Sequence, residues 1–556
     1  MKIVVSFKVV PDDQDIQVSG DGSLDYAKAH QIVSTYDLNA MEAAAQLAAA
    51  NEGSEVVGIT VGGKKIDDSK TKKNVLARGI DQLYMTADDA CADLDAGATA
   101  AALAELVAKV GEYDLIICGD GSADNYAQQV DVQLAAKLGL PVVNGATKIE
   151  AGDGVVTVVR TLEDVVETVE VPLPAVVSVA PDVALPRIPG MKDILAAGKK
   201  PMNVAGASDV AAAAIEVLDC KAPEQTPQAR DHRRRRRWRH REVRCRHQGR
   251  SVVRGIRKGS KTMKAFVLAE HSDAAQELCA GARTMADEVV LVAIADMEVP
   301  AAVADKVLHV ALPEGAVVDD AADTVIAAFD AEQPGVVLVE PTRHMKVVAG
   351  KVAAHAGASI IPDVIEFGGD VATDMYFGGV GMKKQKATGV AFYGVGAGVF
   401  AEAAASGANA TEELAWVAPA KAIKLVSSVP VEKSGVDLNK ADVVVAAGRG
   451  FGAEEDQMAR DLCDKIGGGL GCSRPLTEGV NWLPTEVYVG VSGLMLSPKV
   501  YIAAGISGQM QHMVGCNRAT TLFAINKDKN APVFKQCDYG LVGDIKTVLP
   551  ALVAAL

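Results

Sequence analysis

Aromatic residues are scarce in this chain of 556 residues: 3 Trp, 10 Tyr and 10 Phe, or 4%. A core so poor in rings must close through small aliphatic side chains at short spacing. The abundance of Ala, Val and Gly suits layered α/β packing. No run of about 18 uninterrupted apolar residues occurs, so no membrane span is expected. The nine cysteines form no Cys-x-x-Cys and no Cys/His cluster at metal spacing. Buried free thiols in a cytoplasmic protein are the expectation, with no metal. The N-terminal "MKIVVSFKVVPDDQD" places Lys8 and several acids within its first turns of chain. It reads as a first strand, not a signal peptide. At roughly 100–200 residues per domain, the length predicts three or four domains.

Positive charge is also lacking, except in one place. Residues 230–261 carry 15 Lys+Arg against 2 Asp+Glu, a net of +13. The whole chain stands at −15, so the remainder stands at −28. A globule so acidic does not suit nucleic acid, whose phosphates need a basic face. The Arg-rich stretch "RRRRRWRH" is foreign to its surroundings. Consecutive CGN codons for Arg, shifted by one base, become GNC codons for Val, Ala, Asp or Gly. The codons of "RKGSKT", just before Met263, can hold a ribosome-binding sequence. Residues near 229–262 are therefore expected to be an out-of-frame tail plus a translated spacer, with Met263 opening a second subunit. A natural disordered linker is the alternative.

The two sides of this junction resemble each other. The first side runs "KIVVSFKVV", a helical "YDLNAMEAAAQLAAA", "EVVGITVGG", "YDLIICGDG", a helical "AQQVDVQLAAKLG" and "LPVVNG". The second runs "MKAFVLAEH", "EVVLVAIAD", "GVVLVEPTRH", a helical "KVVAGKVAAHAG" and "ASIIPDV". Short apolar strands alternating with helices predict parallel doubly wound sheets. The expected architecture is α/β: two related doubly wound parallel-sheet domains plus a C-terminal α/β domain. The boundaries are 1–225, a disordered junction at 226–262, 263–430 and 431–556.

The densest signal is C-terminal. A strand, Val500–Ala504, runs into Gly505-Ile506-Ser507-Gly508, and a helix is expected to open at Gln509, Met510, Gln511 and His512. Gly admits left-handed backbone and close approach. A helix start offers free N–H groups to an anion. A second such turn is Gly448-Arg449-Gly450, and a third loop holds Ser473 and Arg474. Asn526 ends the strand "FAIN". Glycines, Ser, Arg and amides at converging strand ends point to a dinucleotide at the carboxyl edge of a sheet. "GVGAG" at Gly394–Gly398 lacks a strand-to-helix context and is not taken as a dinucleotide fingerprint.

The ordered series "GRG…SRP…YVGVSG…GISGQMQH…INKD…DYGLVGD" resembles the FAD domain of the alpha subunit of electron-transfer flavoproteins. The first 225 residues, with "YDLNAMEAA" and "CGDGSADNYAQQV", resemble the beta subunit. The type associated with carnitine metabolism and nitrogen fixation is the most similar. The resemblance implies an FAD carrier working with acyl-CoA dehydrogenase-type donors or acceptors and a quinone oxidoreductase or ferredoxin-like partner. It gives Arg449 and Ser473 to the pyrophosphate, and Arg474 to the isoalloxazine. Val489, Gly490, Val491 and Ser492 lie beside the flavin ring, with Ser507, Gly508, Gln509, Met510, Gln511 and His512 on the next loop. Asn526, Asp544 and Ile545 lie on the adenosine side. The family's usual Gln-Thr-Gly is here Val491-Ser492-Gly493, and a usual Lys is Leu494.

The resemblance also implies a second nucleotide, AMP or a second FAD, with FAD preferred. Its site would take Ser6, Asp37, Val61, Gly119, Asp120 and Asp124, then Gln128, Gln129 and Val130 at a helix start. Asp131 stands where the family usually has Gly. Without an evident nucleophile–base pair or metal cluster, the residues suggest a carrier, not a substrate-transforming enzyme. The other reading is an adenine-nucleotide-binding or sensing protein without redox function.

Overall fold

A computed structural model describes residues 1–208, 210–223, 263–401, 403–431, 436–452, 456–477, 480, 482–490 and 493–556. The Arg-rich junction at 226–262 and the site residues Val491 and Ser492 lie outside the described residues. The described chain divides into two compact units. One comprises residues 1–221, 263–377 and 381–431; the other consists chiefly of residues from 436 to 556.

The first unit is built twice over. Its first half forms parallel strands in the order Met202–Ala205, Gln82–Ala87, Glu55–Gly62, Lys2–Ser6, Leu115–Gly119, Ala175–Val179, Val142–Ala151. The second half repeats the order with Ala410–Glu413, Lys306–Val310, Glu288–Ile294, Lys264–Ala269, Val336–Val339, Ala391–Val395, Ile360–Val364. Central strands are apolar on both faces because helices cover both. Ile3 and Val5 enter one core, Val4 the opposite one. Phe266 and Leu268 oppose Ala265 and Val267 in the same way. Helix Thr35–Ala50 buries an Ala-rich face, and helix Ala96–Val110 is capped by the Asp95 carboxylate, which accepts from Ala98 N–H.

The antiparallel additions were not anticipated. Val155–Thr161 and Val165–Pro172 extend the first sheet as a hairpin, and Lys424–Pro430 of the second half adds to its edge. Reciprocally, Ile215–Lys221 of the first half pairs with Gly381–Ala387 of the second, beside Val371–Tyr376 and Glu366–Gly368. Each half thus completes a sheet of the other. This exchange protects edge strands that would otherwise present unpaired backbone groups.

The second unit is a five-stranded parallel sheet, ordered Gly469–Cys472, Val443–Ala447, Val500–Ala504, Thr521–Asn526, Tyr539–Val542. Helices Gln457–Ile466 and Ile545–Ala555 cover one face through Ala459, Leu462, Ile545 and Leu549. Among the described residues, no helix is long and apolar enough to cross a membrane. The eight described cysteines are free, and seven of them are buried.

Candidate functional site

In the second unit, the strand order reverses between Val443–Ala447 and Val500–Ala504. A parallel sheet opens a crevice at such a point, beyond its carboxyl ends. Two glycine turns meet there at backbone distance. Gly448 N–H donates to the Ala504 carbonyl at 2.9 Å, and Gly450 N–H to the Gly505 carbonyl at 3.2 Å. A Cβ on Gly448 would stand 2.4 Å from the Gly505 oxygen. Gly505 (φ 67°) and Gly508 (φ 86°) hold left-handed backbone, and a Cβ on Gly508 would stand 2.2 Å from Val533 N. Side chains are excluded, so a ligand can approach the main chain itself.

Around this crevice the structure brings together most of the expected residues. Arg449 is exposed on the first turn. Ser473 is buried, and its N–H donates to the Ala447 carbonyl; Arg474 opens the next turn and is exposed. Val489 N–H donates to Cys472, and Gly490 lies against Gln511 and His512, where a Cβ would be 2.5 Å from the Gln511 carbonyl oxygen. Ser507 is half-buried and its carbonyl accepts from Val533 N–H; Gln509 and Gln511 are exposed. Asn526 donates to the Ile506 carbonyl at 2.8 Å. Asp544 is exposed and caps the last helix by accepting from Lys546 N–H, beside buried Ile545.

One expectation needs correction. The helix opening near Gln509 is a single turn, Met510–Met513, and the helix after Gly450 starts at Gln457, beyond the turn. A four-residue turn has no helix macrodipole of consequence. Its His512 and Met513 N–H groups both donate to the Gln509 carbonyl. The crevice therefore offers close backbone and polar side chains, not a helix N-terminus.

His512 is the chemically distinctive group. It is 7% exposed, and its Nε2 lies 2.9 Å from the Tyr501 hydroxyl. Its Nδ1 has no hydrogen-bond partner among the described residues. Burial pushes its pKa down to about 4, with the Val489 backbone opposing weakly. The imidazole is neutral at pH 7, so His512 itself brings no positive charge to this site. Sequence reasoning missed Tyr501, which looks like an ordinary strand residue. The glycine cradle and the orphaned buried nitrogen of His512 fit an FAD.

The chain matches the family model described as "Electron transfer flavoprotein domain" over residues 23–210 and 265–421. It matches "Electron transfer flavoprotein FAD-binding domain" over residues 437–517. This chain belongs to the electron transfer flavoprotein family. It is 37% identical over 306 residues to "Protein FixB" of Escherichia coli O127:H6, covering 53% of this chain and 98% of that protein. It is 44% identical over 230 residues to "Protein FixB" of Escherichia coli O7:K1, covering 40% of this chain and 74% of the relative.

In this electron transfer flavoprotein the first half of the first unit has its own reversal point, between Lys2–Ser6 and Leu115–Gly119. Ser6 and Gly119 flank it, and half-buried Val61 lies near the end of the neighbouring strand. Asp37 fills much of the mouth. It accepts from Lys8 N–H at 2.8 Å, and a Cβ on Gly119 would stand 2.6 Å from its Oδ1. Burial raises its pKa to about 7 against the Lys8 and Gly119 N–H groups. Asp124 pairs with Lys8 Nζ at 2.6 Å; burial opposes its ionisation, but Lys8 outweighs burial and lowers its pKa. The helix Val130–Leu138 follows, with Gln129 at its cap. Asp131, in its first turn, is buried, which raises its pKa to about 6. A carboxylate there repels a pyrophosphate unless it is protonated. Asp124 Oδ1 and Gln129 Oε1 are buried acceptors without partners among the described residues, suited to ligand hydroxyls or amines.

The equivalent point of the second half is closed by charge. Arg160, fully buried on the first-half hairpin, bonds Glu167 Oε2 at 2.8 and 3.0 Å and Asp319 at 2.6 and 3.2 Å. His344 Nδ1 lies 3.0 Å from Asp319 Oδ2. Nearby, His271 bridges Glu340 (2.7 Å) and Asp164 (3.1 Å). The Glu340 hydrogen bond outweighs desolvation and raises the His271 pKa to about 9. A raised pKa contributes stability in full below the unfolded value of about 6.5 and loses it as pH rises through the folded one. The expected result is that stability attributable to His271 falls between pH 6.5 and 9. A His271→Gln variant should lack that decline in a pH series of urea midpoints; an unchanged slope would refute the assignment.

Proposed function

We propose that this chain carries electrons on FAD between dehydrogenases of the acyl-CoA or carnitine type and a quinone- or ferredoxin-linked acceptor. The observation that carries the reading is the glycine cradle of Gly448, Gly450, Gly505 and Gly508, with His512 beside it. FAD supplies the one- and two-electron chemistry when bound; the protein sets its potential. Arg449 and Ser473 would hold the pyrophosphate. Arg474 would place a cation near the ring, and neutral His512 would offer a hydrogen bond without charge. Asn526, Asp544 and Ile545 would face the adenosine end.

The first half would take the beta-subunit role and residues 263–556 the alpha-subunit role. The reciprocal strand exchange supports this pairing. Residues near 229–262 would be an out-of-frame segment, and the first-half crevice would hold AMP or a second FAD, the latter splitting electron pairs between two acceptors. Cytoplasmic residence belongs to the same reading.

Denaturing the protein and counting released nucleotides tests it. Two FAD per chain supports bifurcation, whereas one FAD plus one AMP makes a simple carrier. No flavin at all refutes the function and favours a nucleotide sensor. Arg474→Ala should lower the flavin potential. A charge at about 4 Å in an effective dielectric of about 20 corresponds to a ceiling on the order of 150 mV. Arg474 is exposed, so solvent screening will reduce that shift to a part of the ceiling. Unchanged potentials in spectroelectrochemical titration would remove Arg474 from the ring.

A further inference from the structure

The loop between Gly119 and Val130 holds an unusual conformation. Tyr126 (φ 48°) and Gln128 (φ 53°) both occupy left-handed backbone, although neither is glycine. Such residues are strained and persist only where surrounding contacts impose them. The contacts here converge on Asp120, which is 2% exposed. Its Oδ2 accepts from the Tyr126 hydroxyl at 3.0 Å and from Gln128 Nε2 at 2.9 Å. The tilted rings of Tyr36 and Tyr126, 4.8 Å apart, hold the loop from the other side.

The charge that balances Asp120 comes from the other half of the unit. Arg343, the first residue of helix Arg343–His355, forks onto Asp120 with Nη1–Oδ1 2.7 Å and Nη2–Oδ2 3.2 Å. Gly145 makes room for it, since a Cβ there would stand 2.7 Å from Arg343 Nη1. The Arg343 carbonyl accepts from Asn144 Nδ2 at 2.9 Å. One turn on, Lys346 Nζ bonds Gln128 Oε1, and the Lys346 carbonyl accepts from Gln129 Nε2 at 3.2 Å. The loop is thus fixed at Asp120, Gln128 and Gln129 by one helix end from far along the chain, Arg343 lying 223 residues beyond Asp120.

We infer that Arg343 is a positioning residue for the second nucleotide, clamping Asp120 so that the strained loop 120–129 is preformed for binding. The inference rests on the second-nucleotide reading above. It also reassigns Asp120: the carboxylate is consumed within the protein and faces Arg343, Tyr126 and Gln128 in place of the ligand. A bidentate guanidinium suits this role and an ammonium does not, because only the planar fork meets both carboxylate oxygens.

The test measures AMP affinity by calorimetry on the full chain, with flavin content and urea midpoint taken from the same preparations. Arg343→Gln should weaken AMP binding by about tenfold or more, the scale of a lost charged hydrogen bond. It should also speed amide exchange in residues 120–129. Arg343→Lys should recover only part of the affinity. Because Arg343→Gln strands a buried carboxylate and will lower stability, the double variant Asp120→Asn/Arg343→Gln separates the effects. Its urea midpoint should rise again while AMP affinity and loop exchange remain impaired. Return of AMP affinity to the wild-type value in the double variant would overturn the clamp, as would wild-type exchange rates in Arg343→Gln. Tyr126→Phe removes a single hydroxyl from the same hub and should weaken AMP several-fold; unchanged affinity there also counts against the clamp. If the wild-type chain binds neither AMP nor a second FAD, the second-site reading fails, and slow or fast exchange of loop 120–129 in Arg343→Gln still decides whether Arg343 holds the loop.

Discussion

Asp319→Ala is expected to destabilise the first unit by about 3–5 kcal/mol, the usual cost of removing one member of a buried ion pair. Asp319 is fully buried and shared between Arg160 and His344. Burial by itself would raise its pKa; the two cations more than reverse this and hold it far below the carboxylate range. Without it, Arg160 keeps Glu167 as its remaining carboxylate partner, and His344 loses the acceptor of its Nδ1. The measurement is the urea midpoint with the slope held constant. A loss under about 1 kcal/mol would show that the network relaxes freely. The pH dependence has a definite sign. Asp319 contributes above the unfolded carboxylate pKa of about 4, and that contribution disappears as the solution becomes more acid. For His344, burial opposes protonation but Asp319 outweighs it and raises the pKa. Its contribution is complete below about pH 6.5 and disappears as pH rises through the folded value. Asp319→Ala should flatten both limbs.

Gly448→Ala is expected to abolish stable FAD retention, yielding a colourless chain. The new methyl would stand 2.4 Å from the Gly505 carbonyl oxygen and 2.7 Å from Ile506 Cα. Both are main-chain atoms of the facing turn, so no side chain can rotate away. The turns must separate, and the paired hydrogen bonds Gly448–Ala504 and Gly450–Gly505 go with them. Clashes of this kind belong to the large-effect class, on the order of 3 kcal/mol or more. Arg449→Ala is the control. Its side chain is exposed, so the unit should keep its urea midpoint while binding FAD more weakly. Full flavin content in Gly448→Ala would show that close backbone approach is not what forms the crevice.

The sequence by itself determined the local grammar of this protein. Short Val/Ile runs such as "KIVVS" and "VVLV" can be buried on both faces only inside a covered parallel sheet, and the structure places them there. Glycines after strands marked the crevice of the second unit, because excluding a Cβ is a property of one position and needs no partner to be seen. Arg449, Ser473 and Asn526 were legible for the same reason: each follows or ends a strand. Tertiary structure alone decided which strands left their own half. Val165–Pro172 and Lys424–Pro430 pair across more than 250 residues, and that pairing depends on register, which no local period encodes. The helix expected at Gln509 is one turn long: past Met513 the chain tightens, and the Gly515 and Cys516 N–H groups donate three residues back, to His512 and Met513. The ion pairs are the sharpest case. Arg160 and Asp319 are 159 residues apart, and Asp120 and Arg343 are 223 apart. A charge in a sequence looks like a solvated surface residue until folding removes its water, and only then does it require the distant partner that the fold supplies.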